Sequence, residues 1–232
     1  MNTENKLLAT LPKDVLERLN PFSRLIDLPH GQVLNRPGQI IDHLHFPVSC
    51  LISVTVTMSS GNTTEAGIVG SREMVGLNAF MGGRETSQTE YITQVPGSAI
   101  RISAEPFLVE FNHNKAVRDV MLRFTQAYIA QLSQNVACNR QHETLPRLAR
   151  WLLECYWRLE SKDLSLTHDF ISQMLGVRRA GVSEGLGELK EAGAIEYSRK
   201  TIQVTDPARL QSEACECFDT LRMEYERLIE FN

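Results

Sequence analysis

The stretch Leu166-Thr167-His168-Asp169-Phe170-Ile171-Ser172-Gln173-Met174-Leu175-Gly176-Val177-Arg178-Arg179-Ala180-Gly181-Val182-Ser183-Glu184-Gly185-Leu186-Gly187-Glu188-Leu189 decides the fold of the C-terminal third. Thr167 is a strong helix N-cap residue. Phe170, Ile171, Met174 and Leu175 make one apolar face, and Gly176 permits the positive φ of a tight turn. Val177 plugs that turn. Val182, Leu186 and Leu189 recur at helical spacing and anchor a second helix. Two helices joined by a short turn containing glycine form a helix-turn-helix. In that motif the second helix enters the DNA major groove and turns its early residues to the base edges. Here those residues are Arg178, Arg179, Ala180, Ser183 and Glu184. Arginine grips guanine through two parallel hydrogen bonds. The Thr167 hydroxyl, at a helix start, is placed to meet a phosphate.

The flanks complete the unit. Asp163-Leu164-Ser165-Leu166 is strand-like, and Ala194 to Val204 alternates like a hairpin with Arg199, Lys200 and Thr201 at its tip. A basic hairpin in that position is the wing of a winged helix. A helix rich in Leu, Trp and Arg, Leu145 to Leu159, precedes the motif, and one amphipathic helix from Pro207 to Phe231 is expected after it.

Upstream, Asn114 to Cys138 contains neither Gly nor Pro. Its apolar residues Val117, Val120, Met121, Phe124, Ala127, Tyr128, Leu132 and Val136 fall on one stripe, the pattern of a single long helix. Such a helix either packs on its own sheet or pairs with its copy in a second subunit. The seam expected for the pairing is Val117, Met121, Phe124, Tyr128 and Leu132. From Leu28 to Ile102 the chain alternates short β-prone runs, such as Leu51 to Thr57, with turn signals at Pro29-His30-Gly31, Pro37-Gly38, Ser60-Gly61-Asn62, Gly82-Gly83 and Pro96-Gly97. That is the signature of many short antiparallel strands in a sandwich or barrel.

The chain has 232 residues, 42% hydrophobic and 22% charged, with a formal net charge of -4. These values fit an ordinary globular protein and exclude disordered or collagen-like sequence. The charge excludes a global positive field, so any grip on DNA is a local patch. The N-terminal residues read as a short amphipathic helix, and no apolar run reaches membrane-spanning length. The five cysteines, Cys50, Cys138, Cys155, Cys215 and Cys217, include no C-x-x-C pair, which points to a reducing cytoplasmic setting. No metal site is expected. His43 and His45 share a strand face but lack a nearby glutamate. No Ser-His-Asp, Cys-His or paired-carboxylate motif emerges, so no enzyme is expected. The fold expected is α+β: an antiparallel β-roll, jelly-roll-like, over residues 1–113, a dimerisation helix over 114–140 and a winged helix-turn-helix over 141–232.

That order of elements resembles the Crp/Fnr superfamily of bacterial transcription regulators over nearly the whole chain. The resemblance rests on Pro29-His30-Gly31-Gln32-Val33-Leu34, Pro37-Gly38, His45-Phe46-Pro47, the Gly70 to Gly76 loop, Pro96-Gly97-Ser98-Ala99 and the helix-turn-helix. It implies a homodimer that binds double-stranded DNA, with RNA polymerase or another regulator as a further partner and no membrane. It assigns the guanine-reading role to Arg179. Glu184 stands where the cyclic-AMP regulator has a second arginine and Ala180 where it has a glutamate, so a different operator is implied. The alternative is a cyclic-nucleotide-type module acting through protein contacts.

The cyclic-AMP cassette is missing from the resemblance. Leu77 replaces the ribose-binding glutamate, Ser87 and Gln88 replace the phosphate-binding Arg-Ser pair, and Asn135 and Val136 replace the polar pair that meets adenine. Iron-sulfur sensing lacks its N-terminal cysteines, none of which precedes Cys50. Arg24-Leu25-Ile26-Asp27 spells R-x-x-D, a pattern that holds cyclic di-GMP in other proteins. The expected effector residues are Arg24, Asp27, Arg72, Arg84, Thr86 and Asn135, and the effector suggested is cyclic di-GMP.

Overall fold

The computed structural model describes residues 4–83, 85, 88–198 and 201–229. Two short helices, α1 (Lys6–Ala9) and α2 (Lys13–Leu19), open the chain where one helix was expected. Pro12 separates them, because the residue before a proline is driven out of the helical region.

Among the described residues seven antiparallel strands follow: β1 (Ser23–Leu28), β2 (Val33–Asn35), β3 (His43–Pro47), β4 (Leu51–Thr57), β5 (Thr63–Val69), β6 (Thr89–Val95) and β7 (Gly97–Ser103). They form two sheets, ordered β1-β7-β3 and β2-β6-β4-β5. Alternation sets the inner faces. In β3, Leu44 and Phe46 are buried between the sheets, and in β7 Ile100 and Ile102 meet them. From the second sheet Ile52, Val54, Val69 and Tyr91 close the same core.

Helix α3 (Ala104–His113) leads to α4 (Lys115–Gln141). Asn114 caps α4 by accepting from the amides of Ala116 and Val117. Its 27 residues span about 40 Å. After an extended residue, His142, the chain re-enters a helix, α5 (Thr144–Leu159). The C-terminal unit adds β8 (Asp163–Leu164), α6 (His168–Leu175), α7 (Arg179–Glu191), β9 (Ile195–Tyr197) and β10 (Ile202–Val204). Its three strands are ordered β8-β10-β9.

The final amphipathic stretch is two helices, α8 (Pro207–Glu213) and α9 (Cys217–Leu228), not one. Leu210 and Phe218 pack in the core of the C-terminal unit, whereas Tyr225, Leu228 and Ile229 pack in the core of the roll. One straight helix cannot present its apolar stripe to both, and the extended Ala214 reorients it.

The two units are joined by more than the hinge. Leu51, Ile68 and Val95 of the roll share a continuous apolar core with Leu148, Leu152, Ile171 and Leu186. Beside it runs a buried chain of charges. Glu73 accepts from Nε of Arg158 at 3.0 Å, Arg158 Nη1 donates to Glu154 at 2.9 Å, and Glu154 pairs with Arg150. All four side chains are buried.

Glu65 on β5 stands at the same junction and accepts from the indole N–H of Trp151 at 2.8 Å. Ser53 Oγ lies 2.6 Å from Glu65 Oε2 and 2.8 Å from Gln94 Oε1. A hydroxyl has one proton and cannot serve two acceptors. A protonated Glu65 resolves this by donating to Ser53, which donates to Gln94. Burial accordingly raises the Glu65 carboxyl from 4.5 to about 7. Between those values the folded chain keeps a proton that the unfolded chain has released. Stability therefore falls as pH rises from about 4.5 through about 7, by on the order of 3 kcal/mol. Glu65→Gln, whose amide donates to Ser53 at every pH, is expected to flatten this dependence. Urea midpoints measured across that range check it, and parallel curves for the two proteins would refute it.

Candidate nucleic-acid interface

The helix-turn-helix is built as its sequence dictates. The Thr167 hydroxyl accepts from the amide of Phe170 at 3.2 Å and caps α6. Gly176 ends that helix at φ +64, and its amide and that of Val177 return to the carbonyls of Gln173 and Ser172. Arg178 is the extended N-cap of α7. Val182, Leu186 and Leu189 are fully buried. At Gly185 a Cβ would stand 3.0 Å from Leu148, so glycine brings α7 close against α5.

With that face anchored, Arg178, Arg179, Ala180, Ser183 and Glu184 are all exposed. Arg179 Nε pairs with Asp169 at 2.7 Å while its side chain stays 65% exposed. An exposed pair of this kind is worth about 0–1 kcal/mol and yields readily to a stronger anion. Ser183 Oγ lies 3.0 Å from His168 Nδ1, which fixes the hydroxyl toward α6. Arg199 and Lys200, expected at the wing tip, lie outside the described residues, as do Arg84 and Thr86.

A cavity of about 240 Å³ separates the roll from α4. Val54, Ala66, Leu77, Tyr128, Ile129 and Leu132 give it a largely apolar lining, with Asn78, Thr89, Tyr91 and Thr125 as polar groups. Tyr91 donates to Asn78 Oδ1 at 3.0 Å. Among the described residues no Lys or Arg lines it.

Residues 146–213 match the Crp-like helix-turn-helix domain, and residues 25–114 match the cyclic nucleotide-binding domain. The chain belongs to the Crp/Fnr superfamily. The CRP-like cAMP-activated global transcriptional regulator of Mycobacterium tuberculosis is 24% identical over 197 residues, covering 82% of this chain and 87% of the relative. Among solved structures, FixK2 from Bradyrhizobium japonicum superposes with a TM-score of 0.71 at 14% identity, over 83% of this chain and 98% of that one. CLP, the c-di-GMP responsive global regulator of Xanthomonas campestris, gives 0.65 at 17% identity, over 83% and 99%. These structural likenesses show the shared fold. The chain is a DNA-binding transcription regulator of the Crp/Fnr type, and none of its described helices is long and apolar enough to cross a membrane.

Of the effector residues expected from sequence, the four that are described, Arg24, Asp27, Arg72 and Asn135, are not gathered at one place in this Crp/Fnr roll. Arg24 and Asp27 are exposed on β1. Arg72 pairs with Glu160 at 2.6 Å and stacks on Trp157 at the junction between the units. Asn135 donates to the carbonyl of Ala66 at 2.9 Å and accepts from Arg150, which makes it part of the same junction. None of these four lines the cavity. Leu77 does, with an aliphatic side chain where the resemblance puts a glutamate. His45 is buried, which lowers its imidazole to about 3 and keeps it neutral.

The expected seam is corrected too. Val117, Met121, Phe124 and Tyr128 belong to the roll's own core, and Leu132 packs against it and lines the cavity. The four buried residues cannot also face a partner. An adjoining face of α4, which meets the cavity rim at Ile129, carries a different stripe. Leu122 and Ile129 are each 53% exposed and Val136 is 72% exposed, at intervals of seven residues. Gln126 and Ser133, also exposed, fall between them. The sequence reading placed Val136 on the first stripe and missed Leu122 and Ile129, because the larger apolar set dominates the helical periodicity.

Proposed function

We propose that this regulator is a cytoplasmic homodimer that reads a near-palindromic operator through α7. The observation that carries the reading is the exposed row Arg178, Arg179, Ala180, Ser183 and Glu184 on a helix whose other face is anchored. Arg179 is assigned to a guanine. Arg178 and the Thr167 end of α6 are assigned to the phosphate backbone with the wing residues Arg199 and Lys200. The seam assigned to the dimer is Leu122, Ile129 and Val136, whose seven-residue spacing is the repeat of a two-stranded coiled coil. RNA polymerase or another regulator is the further partner implied by the resemblance.

The effector reading follows α4. This helix supplies Thr125, Tyr128 and Leu132 to the cavity wall and Leu122 and Val136 to the outside, with Ile129 at the rim between the two. A ligand in the cavity acts by binding one dimer geometry better than another. A small, weakly polar ligand suits the described lining better than a cyclic phosphate, which needs cations from more than one segment. Cyclic di-GMP keeps only the R-x-x-D pattern in its support. Calorimetry with cyclic AMP, cyclic GMP and cyclic di-GMP separates these possibilities.

The DNA reading is tested at Arg179. Once an operator has been selected from random duplexes, Arg179→Ala is expected to weaken its binding by about 1–3 kcal/mol and to relax the preference at one base pair per half-site. Mobility shifts with the operator and with point-substituted duplexes read both. A uniform loss on every sequence would make Arg179 a phosphate contact instead.

A further inference from the structure

Where α4 ends and α9 begins, four side chains converge that the DNA reading does not use. Cys138 is in the last turn of α4, and His142 is the residue capping it. Cys215 and Cys217 flank Glu216 at the start of α9. The three sulfurs and the imidazole nitrogen all lie within 4.8 Å of one another. Cys138 and Cys215 are 3.6 Å apart at sulfur, and Cys217 Sγ is 3.6 Å from Nδ1 of His142. The cysteines are buried and none is in a disulfide.

We propose that Cys138, His142, Cys215 and Cys217 form a structural zinc site. A tetrahedral ion with Zn–S near 2.3 Å and Zn–N near 2.1 Å sets its ligand atoms about 3.5–3.8 Å apart. The separations of 3.6 Å match that spacing. Three thiolates and one imidazole are a closed donor set of the structural kind. An iron-sulfur cluster holds its cysteines apart with bridging sulfides and does not fit so small a space. A disulfide would use two of the four groups and leave the convergence of Cys217 and His142 unexplained.

The surrounding groups are those a zinc site uses. Nε2 of His142, the nitrogen facing away from the sulfurs, is 3.2 Å from a carboxylate oxygen of Glu216. That contact fixes the tautomer with Nδ1 free to coordinate. Gln134 Nε2 donates to Cys217 Sγ at 3.0 Å, a bond a thiolate accepts well. The pairs have compact spacing, C-x-x-x-H on one helix end and C-x-C at the other, but they lie far apart in sequence.

Metal analysis of the full-length protein, purified reduced and without chelator, tests the site. About one zinc per chain is expected. Cobalt added to the metal-free protein is expected to give the thiolate charge-transfer and ligand-field bands of a tetrahedral ion. Glu216→Ala, which removes only the exposed carboxylate, is expected to weaken zinc binding about 10–100-fold in competition with a chelator. Cys217→Ser is expected to lose the metal, and Cys50→Ser, in the roll, to keep it. The proposal is overturned if reduced wild-type protein takes up neither zinc nor cobalt. It is equally overturned if iron with acid-labile sulfide is found, or if Cys138 and Cys215 prove disulfide-bonded in the cell. Metal content is read without DNA, so its outcome is independent of the operator experiments.

Discussion

Glu73→Ala is expected to destabilise the protein by about 3–5 kcal/mol, the cost of leaving a buried charge without its partner. The chain Glu73, Arg158, Glu154 and Arg150 contains two acids and two bases, all buried. Removing Glu73 leaves one positive charge uncompensated where water cannot reach it. It also removes the acceptor for the amide of Gly70 at 2.6 Å. Arg158 then keeps Glu154 and its contacts over Trp157 and Tyr225, which offset only part of the loss. Urea unfolding reads the change. Arg158→Met with Glu73→Gln, which removes one charge of each sign, is expected to recover much of the stability. If the double variant is no better than the single one, charge balance is not what holds the junction.

Ile129→Asp is expected to produce a folded monomer that binds the operator about 10²–10⁴-fold more weakly, since two half-sites are then no longer held on one body. Ile129 is 53% exposed on α4. A charge there, at the cavity rim, reaches water in the monomer and would face its own copy in the dimer. The neighbouring Tyr128→Asp would instead place a charge in the roll's core and unfold it. Sedimentation and mobility shifts read the two consequences separately. A variant that remains dimeric with full affinity would move the seam elsewhere.

The local signals were the most legible. Thr167, Gly176 and the Val182-Leu186-Leu189 row act over a few residues, and each does in the fold what its chemistry predicts. The roll and the long helix were legible for the same reason, through turn glycines and an unbroken apolar stripe. Less legible was anything that depends on which surface meets which. Val117 to Tyr128 announced an apolar face but not its occupant, and the roll took it. The break at Ala214 was hidden because both halves of the last stretch keep helical periodicity while serving different cores. Arg24, Asp27, Arg72 and Asn135 fitted a ligand by residue type, yet the fold sends them to a sheet surface and to the junction. The cysteine-histidine convergence joins Cys138 and His142 to Cys215 and Cys217 across the intervening head. No spacing rule spans such a distance.

The apolar layer shared by Leu51, Ile68 and Val95 with Leu148, Leu152 and Ile171 means that neither half of this chain is a free-standing module as packed. A fragment cut at residue 143 and produced alone would carry a raw greasy flank on one side and unbalanced arginines on the other. Grafting the reader onto a foreign sensor would inherit the same wound. Any swinging of the reader during signalling must peel this seal open, so the energy that an inducer supplies is measured against the cost of wetting it.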